Sequence, residues 1–211
     1  MITEKKIEKE MELASMLASR LCHDLVGPIS AAANGMEMAV ECDFENTRRE
    51  AVQLSARAVA QSLSRIRIAR LALGAGGSAA LELSIEEVIE LLTPLAEDKK
   101  SSIRWTGGDI TLAKEKARLL LNLGLMVLSG MSENGKISMR EEEGGILVNA
   151  RNMSLPSIQR LQEIVKQYKS APLTPDSVQN IYACHIAESL GLKVTIRADE
   201  EAKIVILEAL P

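Results

Sequence analysis

The first 73 residues hold one strong interruption to helical patterning, at Cys42-Asp43-Phe44-Glu45-Asn46. Two long helices, over roughly 3–41 and 46–73, are the structure this allows. On the first, Leu13, Leu17, Leu21, Leu25, Pro28, Ala32 and Gly35 recur at three- and four-residue steps. On the second, Val52, Ala56, Val59, Leu63, Ile66 and Leu73 recur in the same way. Two amphipathic helices joined by a short loop fold back as an antiparallel hairpin. A lone hairpin buries little of its apolar stripe, whereas two hairpins related by a two-fold axis close a four-helix bundle. A homodimer is therefore expected.

The rhythm changes at Gly74-Ala-Gly-Gly-Ser-Ala-Ala80, a run without charge or periodicity that reads as a linker. The expected fold is thus α+β in two domains: a helical hairpin over 1–75 and a mixed domain over 80–211. In the second, Ser84-Ile-Glu-Glu87 forms a capping box that opens a helix running to about Lys99. Ser102 to Trp105 reads as a strand, Lys114 to Met131 as a strongly apolar helix, and Leu155 to Tyr168 as another. A further helix from Thr174 or Pro175 to Leu190 ends at Gly191, a natural left-handed cap. Hairpins are expected over 136–149 and 192–208.

Composition excludes several classes of function. A net charge of -4, no basic block and only four aromatic residues argue against nucleic acid as the partner. The longest apolar stretch, Leu119 to Ser132, is short of the ~20 residues that cross a bilayer, so no membrane partner is expected. The charged N-terminus has no signal-peptide core. Three cysteines without a CxxC pair suggest free thiols in a cytoplasmic protein. Cys22-His23 and Cys184-His185 do not make a metal site, because neighbours on a helix point about 100° apart. His185 lacks a following acid or a motif and reads as structural.

His23 differs. With Leu21 set at 0°, the apolar stripe stays within roughly 80° of it, and His23 falls near 200°, at about 100° per residue. Its neighbours on that outer face are Ser19, Gly27, Ser30 and Asn34, all small or polar. Neutral imidazole is nucleophilic and forms an energetic bond to phosphorus, from which transfer to a carboxylate needs no ATP. Asp24 is placed to accept from the other ring nitrogen and hold the useful tautomer. Arg20, one turn back, is placed to meet phosphate or an acidic partner surface. Gly27 keeps the approach open, and Pro28 removes a helix hydrogen bond just after the histidine.

The stretch Arg20-Leu-Cys-His-Asp-Leu-Val-Gly-Pro-Ile-Ser-Ala-Ala-Ala-Asn-Gly-Met-Glu37 resembles the signature of the ChpT-type histidine phosphotransferases of alphaproteobacteria. More loosely, it is similar to the H-box of sensor histidine kinases. The resemblance implies a dimeric four-helix bundle with His23 phosphorylated and Asp24 in support. Arg20, Gly27, Ser30 and Asn34 would face the partner. It also implies a C-terminal α/β sandwich like a kinase ATP-binding domain that has lost its nucleotide site. Leu119-Leu-Leu-Asn122-Leu-Gly-Leu-Met126 resembles the kinase N-box, with Met126 where a magnesium-ligating asparagine is expected. Ile146 to Asn152 lacks the Asp and glycines of the adenine box, and 173–180 lacks the phosphate-loop glycines. Gly27 stands where kinases with phosphatase activity carry Thr or Asn.

The implied function is relay of a phosphoryl group from the receiver domain of a hybrid kinase, through His23, to the receiver of a response regulator. No cofactor is expected, and magnesium would come with the partner receiver. The alternatives are a non-catalytic dimeric module that sequesters response regulators and, behind it, a divergent ATP-dependent histidine kinase.

Overall fold

The structure is a computed structural model, which describes residues 4–74, 82–108 and 110–211. The first two helices are α1 (Glu4–Glu41) and α2 (Glu45–Ala72), an antiparallel hairpin turned at residues 42–44. Their seam is built from small residues. Gly35 of α1 faces Ala51 and Ser55 of α2, and Ala39 on α1 with Ala58 and Ser62 on α2 are also buried. A Cβ on Gly35 would lie 2.4 Å from Ser55 Oγ and 3.0 Å from the Ala51 carbonyl, so only glycine permits this approach.

The larger apolar side chains point elsewhere. Met11, Ile29, Met36 and Val40 on α1, with Val52, Val59, Leu63 and Ile66 on α2, are all at least 40% exposed. The apolar stripe read from the first helix is buried or half-buried along its length, and a neighbouring flank that it did not include stays open beside the α2 stripe. These open faces adjoin each other across the hairpin. The expected linker at 74–80 lies outside the described residues apart from Gly74.

The second half is a layered α+β unit. In chain order it comprises β1 (Glu82–Ser84), α3 (Ile85–Glu97), β2 (Ser102–Trp105), β3 (Thr111–Ala113), α4 (Lys114–Gly130), β4 (Met131–Glu142) and β5 (Gly145–Met153). It continues through α5 (Leu155–Gln167), α6 (Val178–Ser189), β6 (Lys193–Asp199) and β7 (Ile204–Leu210). The main sheet has the order β2-β4-β5-β7-β6, parallel between β2 and β4 and antiparallel elsewhere. β1 and β3 form a small second sheet that the sequence pattern did not suggest.

The core fills the space between this sheet and its helices. Ile137 and Met139 of β4, Val148 and Ala150 of β5, and Val205 and Leu207 of β7 point into it, fully buried. α4 runs through the middle, with Leu119, Leu120, Leu121 and Leu123 fully buried around the helix. It is apolar all round because the sheet covers one side and α2 the other. The hairpin packs on α3, α4 and α6, so this helical layer separates it from the main sheet.

Local signals explain several boundaries. The capping box is present: Glu87 N–H donates to Ser84 Oγ at 3.2 Å, and Ser84 N–H to the Glu87 carboxylate at 2.8 Å. Gly191 has φ +73, and Leu192 N–H bonds the Ala187 carbonyl at 2.9 Å, closing α6. The start of α6 is corrected from Thr174 or Pro175 to Val178. Residues 175–177 form a turn ahead of the helix, across which Thr174 and Ser177 exchange side-chain bonds with each other's backbone N–H. The expected hairpin over 136–149 is longer at both ends, since β4 continues through a register irregularity back to Met131.

Candidate functional site

His23 stands on the outer face of α1 with its side chain 86% exposed. The hairpin seam and the open apolar flank lie to either side of it. Ser19, Gly27, Ser30 and Asn34 are exposed around it, as expected. Val26, one turn along, is 61% exposed and adds an apolar contact that sequence reasoning passed over. A Cβ added to Gly27 would meet nothing within 4 Å. Nothing inside this chain requires glycine there, although glycine costs a helix roughly 1 kcal/mol relative to alanine.

Asp24 is oriented from three sides. Its Oδ1 lies 3.5 Å from His23 Nδ1, and its Oδ2 lies 3.7 Å from Arg20 Nε. Its backbone carbonyl accepts a hydrogen bond from Arg65 Nη1 on α2. That last bond follows from Pro28. A proline inside a helix has no N–H for the carbonyl four residues back, which here belongs to Asp24. Arg65 supplies the missing donor. The sequence shows that a carbonyl is orphaned, but only the tertiary structure shows which side chain reaches it.

Arg20 also donates to the carbonyl of Pro175 in the turn before α6. It therefore ties the histidine-bearing helix to the C-terminal unit as well as to Asp24. An exposed approach to His23 and Asp24 is flanked on this side by the 172–177 turn. Behind it, between hairpin and C-terminal unit, lies a cavity of about 270 Å³ lined in part by Arg20, Asp24, Arg65, Leu125 and Gln179.

The C-terminal unit grips the end of α2 with polar side chains. Asn122 is fully buried, and its Nδ2 donates to the Ala72 carbonyl at 3.0 Å and to the Arg118 carbonyl at 2.7 Å. Gln179 Nε2 donates to Asn122 Oδ1. Arg118 Nε reaches the same Ala72 carbonyl at 3.3 Å, and Tyr182 Oη donates to the Leu73 carbonyl at 3.3 Å. The last carbonyls of a helix have no partner within it and carry partial negative charge, so a guanidinium and an amide suit them. Met126, four residues on from Asn122, is fully buried in the core.

His185 belongs to a separate surface cluster. Its ring meets Tyr168 edge-on at 5.3 Å between centroids, and its Nδ1 lies 3.8 Å from Glu188. Burial lowers its pKa, against a smaller upward pull from Glu188 and a downward push from Lys169. Beside it, burial pushes the Cys184 thiol up to about 12. Cys22, Cys42 and Cys184 are free thiols. Among the described residues, no His, Cys, Asp and Glu side chains gather into a group that suits a metal ion. No described helix is long and apolar enough to cross a membrane.

Comparison with known proteins agrees with this arrangement. Residues 85–202 match the family model for the histidine phosphotransferase C-terminal domain. The protein phosphotransferase ChpT of Brucella abortus (strain 2308) is 29% identical over 201 residues, covering 90% of this chain and 92% of the relative. The 1.7 Å structure of a bacterial phosphotransferase superposes with a TM-score of 0.78 at 26% identity, covering 94% of this chain and 96% of that one. The match spans more than half of the chain, and an outward histidine with an oriented aspartate stands on the helix ahead of it: the chain belongs to the histidine phosphotransferase family.

Proposed function

We propose that this chain is a phosphorelay intermediate. It takes a phosphoryl group onto His23 from an aspartyl phosphate of a hybrid-kinase receiver and passes it to an aspartate of a response-regulator receiver. The observation that carries this reading is the exposure of His23 beside an aspartate held by Arg20 and Arg65.

With Nδ1 turned toward Asp24, Nε2 is the ring nitrogen that faces the incoming group. Its lone pair attacks phosphorus, the bond from phosphorus to the donor carboxylate breaks, and that carboxylate leaves. The proton on Nδ1 stays on the ring, where the Asp24 carboxylate stabilises the positive charge that develops. In the second half-reaction the acceptor carboxylate attacks phosphorus, the N–P bond breaks, and neutral imidazole is restored. Magnesium accompanies the receiver in each step, and the chain itself uses no cofactor.

The chain works as a homodimer in this reading. The open faces of α1 and α2 close a four-helix bundle against a second copy, leaving each His23 outward. Residues 1–75 carry the transfer and the dimer contact, and residues 80–211 form the flank that guides a receiver toward His23. The protein works in the cytoplasm without nucleic acid or membrane as a partner.

The test incubates phosphorylated receivers with wild type and with His23→Ala. Alkali-stable, acid-labile label on wild type alone is the expected result. Absence of label on wild type from any receiver favours the sequestering module. Label on His23→Ala would move the site to another residue, His185 first.

A further inference from the structure

The main sheet has one face on the helices and one open to solvent, and the open face carries an organised set of cations. Across three neighbouring strands, Ser102, Lys136 and Arg151 stand side by side, and Arg104, Ser138 and Asn149 form the next row. Arg104, Lys136 and Arg151 are exposed, and none has an ion-pair partner among the described residues. They border a depression of about 460 Å³ whose floor includes Ser138 and Asn149. This gathering stands out in a chain whose net charge is -4.

The pairing of Lys136 with Arg151 is costly. They are directly opposed in the antiparallel register of β4 and β5, where like charges destabilise a sheet. Elsewhere on the same face the cations are neutralised, Arg140 by Glu142 and Arg197 by Glu208. The fold therefore leaves one cluster uncompensated beside others that it compensates. Next to that cluster, Ile204 and Ile206 on β7 form a half-buried apolar strip beside the buried Leu147 of β5.

We infer that this open sheet face is a docking surface for a protein partner whose contact region is acidic and partly apolar. Carboxylates would meet Arg104, Lys136 and Arg151, and apolar side chains would cover Ile204 and Ile206. A compact free anion would use the cations alone and leave the adjoining strip uncovered. Among the described residues no aromatic side chain stands on this face to stack on a base, since Trp105 packs against the core. Five strands give a width of about 19 Å, the scale of a small, transient protein contact. The helical layer lies between this face and the hairpin, so a partner here leaves the approach to His23 free.

The full chain is titrated with a synthetic helical peptide of glutamate and leucine at four-residue spacing, and the backbone amide signals are followed by NMR. Tripolyphosphate and a short DNA duplex serve as parallel probes. The expected result is that the peptide shifts amides of β2, β4 and β5. Arg104→Glu/Lys136→Glu/Arg151→Glu should weaken binding at least tenfold, and Lys136→Gln/Arg151→Gln by an intermediate factor. Phosphoryl transfer to His23 should stay within twofold in both variants, which separates this inference from the relay reading. Peptide shifts elsewhere, no binding to wild type, or equal binding to the variants would overturn it. So would saturation by tripolyphosphate or DNA at lower concentration than by the peptide.

Discussion

Arg65 on α2 donates to the backbone carbonyl of Asp24 on α1, the carbonyl that Pro28 deprives of its helical donor. A break in the helix one turn after His23 is thus repaired from the neighbouring helix. The repair fixes the backbone of the residue that orients His23. Without it, a part-buried carbonyl beside the site would lack a partner and the bend at Pro28 would be free to vary.

This relationship is open to a double-mutant cycle. Arg65→Ala alone should cost about 1.5–3 kcal/mol, the range for a hydrogen bond from a charged donor. In a Pro28→Ala background the restored N–H serves the Asp24 carbonyl, and the same change should cost at least ~1 kcal/mol less. Urea melts of the four chains measure it. Additivity within about 0.5 kcal/mol would show that the two residues are not coupled.

Two glycines of α1 should respond in opposite directions. Gly27→Ala meets open space, and it should stabilise α1 by about 0.5–1 kcal/mol while slowing transfer from a phosphorylated receiver. Gly35→Ala drives a Cβ into Ser55 and the Ala51 carbonyl, and it should cost about 1–3 kcal/mol. Thermal melts with transfer rates on both variants decide this. An unchanged transfer rate for Gly27→Ala would remove it from the docking face.

Ile29→Glu combined with Leu63→Glu should convert the proposed dimer into monomers. Both side chains are about half exposed in the single chain, and each substitution counts twice across a two-fold axis. Loss of burial worth about 0.7–1.5 kcal/mol for each of the four half-exposed side chains corresponds to a dimer weaker by about 100-fold or more. Sedimentation equilibrium reads the result. A dimer that survives both changes would place the interface elsewhere.

The His185 cluster makes the C-terminal unit less stable in acid. Burial lowers the folded-state pKa of His185 below the ordinary 6.5, so the unfolded chain binds the proton more readily. Stability should therefore fall as the pH drops through 6.5 toward the folded value. Glu188, held below the usual carboxylate range first by its hydrogen bond from Lys169 and then by that from Tyr168, adds a loss of the same sign at lower pH. His185→Gln should flatten the higher of the two regions in melts at a series of pH values. An unaltered profile would show that His185 does not couple to folding.

Reversing one charge on the open sheet face should strengthen the fold. Lys136→Glu turns an opposed pair of cations into an opposed ion pair with Arg151 and should add about 0.2–1 kcal/mol. A melting temperature that falls instead would mean that the two cations do not repel in the folded chain.

Much of this was legible in the amino-acid order because it depends on short spacings. Helix periodicity placed His23 on an outer face, and the capping box set the start of α3. Proline chemistry alone showed that a helix hydrogen bond is lost near His23. What decided the rest was long-range approach, which no local pattern encodes. That Arg65 and not another donor reaches Asp24, that Asn122 grips the end of α2, and that Arg20 finds the Pro175 carbonyl depend on where separate elements come to rest. The same holds for the open sheet face. Lys136 and Arg151 are unremarkable in sequence, and only the strand register sets one against the other.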